Sequence, residues 1–238
     1  MGIFDGQVAM ITGAGGGLAA GVIPKYAAEG AKLVLIDRDQ QRLKERAQEF
    51  GLTDYLCTGG DLGDPEQVDA IVKQAESTYG TIDMLVHVAG GFAMGDPVHD
   101  AGLDVYEKMM FLNAQLTWVT CGRVAKHMIE KGVAGRMVVT LARSALRGGT
   151  KNGAAYAASK AAAQRIIESM ALELHEHNIR INGVMPSIID TAPNRDAMPN
   201  ADFSKWVTPE QIADAMIFLT SDASSSISGD SLAVYHKA

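Results

Sequence analysis

Short apolar runs alternate with helix-length segments along the whole chain, and this alternation restricts the fold more than any single motif. Residues 7–12, 31–37, 53–58, 82–89, 135–142, 179–185 and 231–235 are too brief for helices and carry almost unbroken apolar character. Between them lie residues 13–30, 38–50, 65–79, 101–131, 153–178 and 208–220, which have helical length and spacing. Strands that are apolar on both faces need helices over both faces, so the pattern predicts an α/β fold with a parallel sheet. No linker-like stretch divides the 238 residues, and the chain reads as one domain, 1–238.

Charge excludes some partners. The net charge is −7 and Lys and Arg form no run, which argues against a nucleic-acid surface. No apolar stretch reaches the roughly 18 residues that a membrane span needs. The segment Met1-Gly2-Ile3-Phe4-Asp5 lacks the charged and apolar regions of a secretory signal. Cys57 and Cys121 fall in strand and helix contexts, so they read as buried thiols of a cytoplasmic protein. His175-Glu176-His177 is the one histidine cluster, but imidazoles at i and i+2 on a helix face apart, and no metal site is expected.

Tyr156 and Lys160 carry the chemistry. They sit at i and i+4 in an Ala-rich helix, so both side chains leave one face. A phenol normally titrates near about 10. A neighbouring ammonium favours the phenolate and lowers that value, which makes the pair a candidate proton donor and acceptor.

The first strand runs into Gly13-Ala14-Gly15-Gly16-Gly17-Leu18 and then a helix. Gly13, Gly15, Gly16 and Gly17 let the backbone turn tightly, and a pyrophosphate would sit beside Leu18 at the positive helix end. Asp37 ends the second strand, where a carboxylate accepts from an adenosine ribose diol and repels a 2′-phosphate. NAD(H) is therefore favoured. Arg38 beside it suits a 2′-phosphate, which keeps NADP(H) open.

These motifs, in this order, resemble the short-chain dehydrogenase/reductase family over essentially the full length. The carriers are Thr12-Gly13-x3-Gly17-x-Ala19, Asp61-Leu62, Ala89-Gly90, Asn113, Tyr156-x3-Lys160, and Pro186 followed five residues on by Thr191. The resemblance implies a Rossmann-type, doubly wound, seven-stranded parallel sheet. It also implies hydride transfer between a nicotinamide and a small-molecule carbonyl or alcohol. Asp61 and Leu62 would hold the adenine, Ala89 and Gly90 would flank its ribose, and Ile189 and Thr191 would bind the carboxamide. Tyr156 would donate the proton. Lys160 would lower its pKa and bind the nicotinamide ribose, while Asn113 would hold a water linking Lys160 to solvent. Relatives are usually homotetramers assembled through the helices that bear Asn113 and Tyr156.

The chain departs from that pattern at three places. Ala19 replaces the third glycine, and His87 replaces an Asn and is expected to be structural. The family's catalytic serine, about thirteen residues before the tyrosine, falls on Arg143 or Ala142, and Ser144 is the nearby candidate. Residues 88–95, 140–142 and 190–209 also resemble quinonoid dihydropteridine reductases, which dispense with that serine. Residues 190–207 read as an ordered substrate lid, with Met94, Phe203 and Trp206 as candidate pocket walls. Two alternatives to a standard carbonyl or alcohol oxidoreductase stand beside it: a quinonoid dihydropteridine reductase-like enzyme, and a low-turnover dinucleotide-binding redox sensor.

Overall fold

The computed structural model describes residues 2–147 and 149–237. Seven parallel strands form one sheet in the order β3-β2-β1-β4-β5-β6-β7. They are β1 (Val8–Thr12), β2 (Lys32–Ile36), β3 (Tyr55–Thr58), β4 (Met84–His87), β5 (Arg136–Thr140), β6 (Arg180–Pro186) and β7 (Ser231–Val234). The chain builds outward from β1 to β3 and returns to the centre at β4, which lies beside β1. It then builds outward again. That reversal opens a crevice at the carboxyl ends of β1 and β4.

Helices cover both faces, as the unbroken apolar strands require. On one face α3 (Pro65–Tyr79), α5 (Leu116–Lys131) and α6 (Ala154–Leu174) bury residues such as Ile71, Val124 and Ile167 against Met10, Leu85 and Val139. On the other, α1 (Ala19–Ala28), α2 (Gln40–Glu49) and α8 (Pro209–Thr220) bury Val22, Leu43 and Ile212 against Ile11, Val86 and Val138. The alternation of these strand residues between two apolar layers is what sets each register.

Two segments differ from their sequence reading. Residues 101–131 are not one smooth helix. They comprise α4 (Asp104–Met109), a π-helical turn over Met110–Gln115, and α5. Residues 190–207, expected as an ordered lid, hold α7 (Ala192–Ala197) and a 3₁₀ turn at Phe203–Lys205, neither of which the sequence pattern marked. Pro193 sits in the first turn of the six-residue α7, and so short a helix shows no apolar periodicity to read.

Among the described residues no helix is long and apolar enough to cross a membrane. Among the same residues no group of three or more His, Cys, Asp or Glu is placed to hold a metal ion. Cys57 is half-buried and Cys121 buried, and neither is in a disulfide.

Candidate active site

The glycine turn is held from below and from the side. Gly13 has φ +63°, and a Cβ there would lie 2.8 Å from the Ala89 backbone. Only glycine fits that approach. Ala14 N–H donates to Ile36 O at 3.0 Å, and Gly15 N–H donates to Asp37 Oδ2 at 3.0 Å. Gly16 N–H turns back to Gly13 O at 2.9 Å. The Arg46 guanidinium, reaching from α2, donates to Ala14 O at 2.9 Å and Gly16 O at 2.6 Å. The carbonyls of the turn are thereby drawn to one side. Among the described residues the N–H groups of Gly17 and Leu18 find no acceptor, and they stand at the positive end of α1.

The remaining dinucleotide candidates lie around the same edge. Asp37 is half-buried behind the turn, and Arg38 is exposed beside it. Asp61 Oδ1 accepts from Gly63 N–H at 2.9 Å, and Leu62 is buried in the core. Ala89 N–H donates to Thr12 Oγ1 at 3.2 Å, which ties the end of β4 to the end of β1. Thr191 meets the glycine turn directly: a Cβ on Gly17 would lie 3.0 Å from Thr191 Cγ2. Ile189 forms a parallel bridge with Val207, so residues 189–207 leave and rejoin the sheet edge at one point. Across that loop Arg195 pairs with Asp190 at 2.5 Å and lies 4.8 Å over the Phe203 ring, which packs on Trp206 at 4.7 Å.

Asn113, Lys160, Gly90 and Tyr156 converge over β4 and β5. The buried Lys160 ammonium donates to Thr140 O at 2.7 Å. A Cβ on Gly90 would lie 2.9 Å from Asn113 Oδ1 and 3.4 Å from Lys160 Nζ, so glycine is what lets the three meet. Asn113 sits in the π-helical turn, and its side chain both accepts from Gly91 N–H at 3.1 Å and donates to Gly91 O at 3.0 Å. It also donates to Ser159 Oγ at 3.0 Å, and Ser159 donates to Tyr156 O at 2.8 Å. A chain of side-chain bonds therefore fixes the first turn of α6 on the loop after β4. The Phe92 ring meets the Tyr156 ring edge-on at 4.9 Å and 84°.

Burial, not the Lys160 charge, governs this pair. It pushes the Tyr156 phenol up to about 12 and the Lys160 ammonium down to about 8. The lowering of the Tyr156 pKa expected from the helix spacing is thus reversed. In the resting site burial outweighs the help from the ammonium, which is held by the Thr140 carbonyl and is itself penalised by desolvation.

Ser144 lies in a 3₁₀ turn over Arg143–Ala145, directly after β5 and packed against α6. Its Oγ is buried and has no partner among the described residues. His87 is buried at the end of β4, with Nδ1 3.0 Å from Thr12 Oγ1. Thr12 Oγ1 also accepts from Ala89 N–H at 3.2 Å, so one hydroxyl ties the His87 ring to the end of β4. Desolvation, with the Lys160 charge second, lowers the His87 pKa to about 3, and the ring is neutral. Met94 is exposed and Trp206 buried, so the two do not line one surface equally. Sequence reasoning missed the roles of Arg46, Ser159, Thr140 O and the Phe92 ring, because each is a partner supplied across the fold.

With this geometry in view, comparison with known proteins is decisive about family. Residues 7–202 match the short chain dehydrogenase family. The chain belongs to that family. It is 31% identical to carbonyl reductase [NADPH] 2 of Sus scrofa, over 97% of this chain and 96% of that one. It is 28% identical to D-threitol dehydrogenase of Mycolicibacterium smegmatis, over 97% of this chain and 92% of that protein. The crystal structure of NAD+-bound xylitol dehydrogenase superposes with a TM-score of 0.88 at 25% identity, covering 98% and 99% of the two chains. The protein is accordingly a pyridine-nucleotide oxidoreductase of the short chain dehydrogenase family, acting on CH–OH and C=O groups.

Proposed function

We propose that the protein transfers a hydride between a nicotinamide and a ketone or secondary alcohol, with Tyr156 moving the proton. The observation that carries this reading is the convergence of Tyr156, Lys160, Asn113 and Gly90, with two displaced pKa values in one place.

The residues present fit a dinucleotide. Gly17 and Leu18 offer N–H groups at a helix N-terminus for a pyrophosphate, while Gly13, Gly15 and Gly16 shape the turn. Asp37 supports NAD(H) by accepting from a ribose diol, and exposed Arg38 leaves NADP(H) within reach. Asp61 and Leu62 serve the adenine, Ala89 and Gly90 the adjoining ribose, and Ile189 and Thr191 the carboxamide. The nicotinamide, when bound, supplies or takes the hydride.

The chain's own residues handle the rest. A phenol held near 12 keeps its proton at neutral pH, so Tyr156 is loaded as a donor to the alkoxide formed on reduction. Lys160, below its pKa of about 8, carries the positive charge that favours the phenolate left behind and that can bind ribose hydroxyls. Asn113 fixes the Tyr156 turn and belongs to the path from Lys160 toward solvent. Ser144 Oγ, buried without a partner, is the second donor to the substrate oxygen. Residues 190–207 form the lid, tied at its base by Ile189 and Val207. Phe92 and Met94, both exposed, give the cleft an apolar wall.

The chain is proposed as one catalytic domain that assembles as a homotetramer. In support, exposed Trp118 of α5 and Leu172 of α6 lie on the outer surfaces of those helices, and a groove between the helices is lined by Trp118, Arg123, Ile166 and Met170. Sedimentation showing a monomer at micromolar concentration would remove that part. Unpaired Cys57 and Cys121 support a cytoplasmic location.

The test is steady-state turnover with NADH and NADPH on a small ketone, a diketone and quinonoid dihydropterin, and with NAD+ and NADP+ on a polyol. Turnover of ketones or polyols supports the proposal. Turnover of quinonoid dihydropterin alone, unaffected by Ser144→Ala, supports a dihydropteridine reductase-like enzyme instead. Tight NADH binding with no turnover points to a redox sensor.

A further inference from the structure

The geometry points to Arg143 and Tyr235 as an oxyanion subsite that selects substrates bearing a carboxylate or phosphate at the end remote from the reacting carbon. This rests on the oxidoreductase reading above and names its substrate class.

Arg143 follows β5 and Tyr235 follows β7, and β6 lies between these strands in the sheet. The Arg143 guanidinium lies over the Tyr235 ring, 5.4 Å from its centroid. The pair therefore spans the carboxyl end of β6, the same edge from which Ile189 and the lid depart. Both partners are anchored. The Tyr235 carbonyl accepts from Ser187 Oγ at 2.9 Å, and its side chain packs against the core layer under α6. Arg143 opens the 3₁₀ turn that also holds Ser144 and that packs against α6, the helix of Tyr156 and Lys160.

Among the described residues the Arg143 side chain makes no ion pair and no hydrogen bond, and the Tyr235 ring is its one recorded partner. Three other arginines are committed within the fold. Arg46 is bound to carbonyls of the glycine turn, Arg195 pairs with Asp190, and Arg180 is spent on carbonyls around Leu219 and Ser221. A guanidinium stacked on an aromatic ring loses little freedom on binding, and its in-plane N–H groups remain available for a bidentate oxyanion. Arg147, four residues on, is likewise exposed. In a chain of net charge −7 an unpaired guanidinium is a local attraction for an anion. Arg143 also stands where the family resemblance places a serine, so the position that ordinarily contacts substrate oxygen carries a cation here.

The experiment compares kcat/KM within matched pairs, using NADH or NADPH: acetoacetate and levulinate against their methyl esters, and dihydroxyacetone phosphate against dihydroxyacetone. The anionic member of at least one pair is expected to exceed its neutral counterpart by about tenfold or more. The oxo acids and the phosphate separate the two sources of the oxyanion. Arg143→Gln is expected to erase the preference by raising KM for the anion, with kcat held within about threefold and the neutral substrate unchanged. Arg143→Lys retains part of the preference, and Tyr235→Leu, which leaves the charge but removes its platform, falls between. Equal or better use of the neutral members, or a preference that survives Arg143→Gln, overturns the subsite while leaving the oxidoreductase reading intact. If wild-type protein turns over none of these compounds, thermal shift of the NADH-loaded protein decides. Stabilisation by an anion and not its neutral partner, lost in Arg143→Gln, supports the subsite, and its absence in wild type overturns it.

Discussion

The two halves of the crevice are built on opposite terms. Over β1 and β2 the polar groups are largely paired within the chain: Gly15 with Asp37, Ala14 and Gly16 carbonyls with Arg46, and Asp61 with Gly63. Over β4, β5 and β6 the pairing is incomplete. Ser144 Oγ, Thr140 Oγ1 and His87 Nε2 are buried without partners among the described residues, and Tyr156 and Lys160 are displaced from their ordinary pKa values. The first half is a finished surface that a ligand can dock on. The second carries unmet hydrogen-bonding capacity and desolvated charge, which cost stability and are kept where chemistry uses them.

That contrast predicts graded effects. Lys160→Met, in the unpaired half, is expected to lower reductive kcat by about a thousandfold, within the range of lost acid–base assistance. Its sign with pH is also fixed. Wild-type reduction should decline as pH rises through about 8, where Lys160 loses its charge, and a pH–rate profile of the variant should lack that limb. Ser144→Ala should follow with a loss of about a hundredfold in kcat and little change in KM for NADH, read from initial rates. In the paired half the effects are smaller and fall on binding. Asp37→Asn keeps an acceptor for Gly15 N–H but removes the charge, so the NADPH to NADH ratio of kcat/KM should rise by about tenfold. A fall in kcat with unchanged cofactor preference would blur the contrast.

The smallest effect is on stability. The His87 pKa is lowered from 6.5 to about 3 on folding, so the unfolded chain binds more protons between those values. Stability contributed there is full above about 6.5 and is lost as pH falls toward 3, with a slope of at most about 1.4 kcal/mol per pH unit. Urea denaturation across that window should show a shallower slope for His87→Asn than for wild type.

Much of the fold was legible because apolar runs such as Lys32–Ile36 and Arg136–Thr140 have no reading other than buried strands. Strand ends moved by a residue or two, since apolar character does not stop where pairing does. The six-residue α7 was illegible for want of periodicity. In the site, Tyr156 and Lys160 do lie one turn apart on α6, and Gly15 and Asp37 meet at the glycine turn. The direction of the Tyr156 pKa was not legible, because desolvation depends on neighbours from several distant segments, including the Phe92 ring. The acceptor of Lys160 is a backbone carbonyl, which any residue at 140 would supply. The stacking of Arg143 on Tyr235 joins positions ninety-two residues apart (235 − 143), and no local pattern marks it.

The most direct test of the account is Tyr156→Phe studied in two steps: the dissociation constant for NADH by fluorescence titration, then the single-turnover rate with a ketone that wild type reduces. The account predicts NADH binding within about threefold of wild type and a hydride-transfer rate lower by about a thousandfold or more. A variant that binds NADH normally and reduces the ketone at the wild-type rate would contradict it, and the proton would have to come from elsewhere in the site.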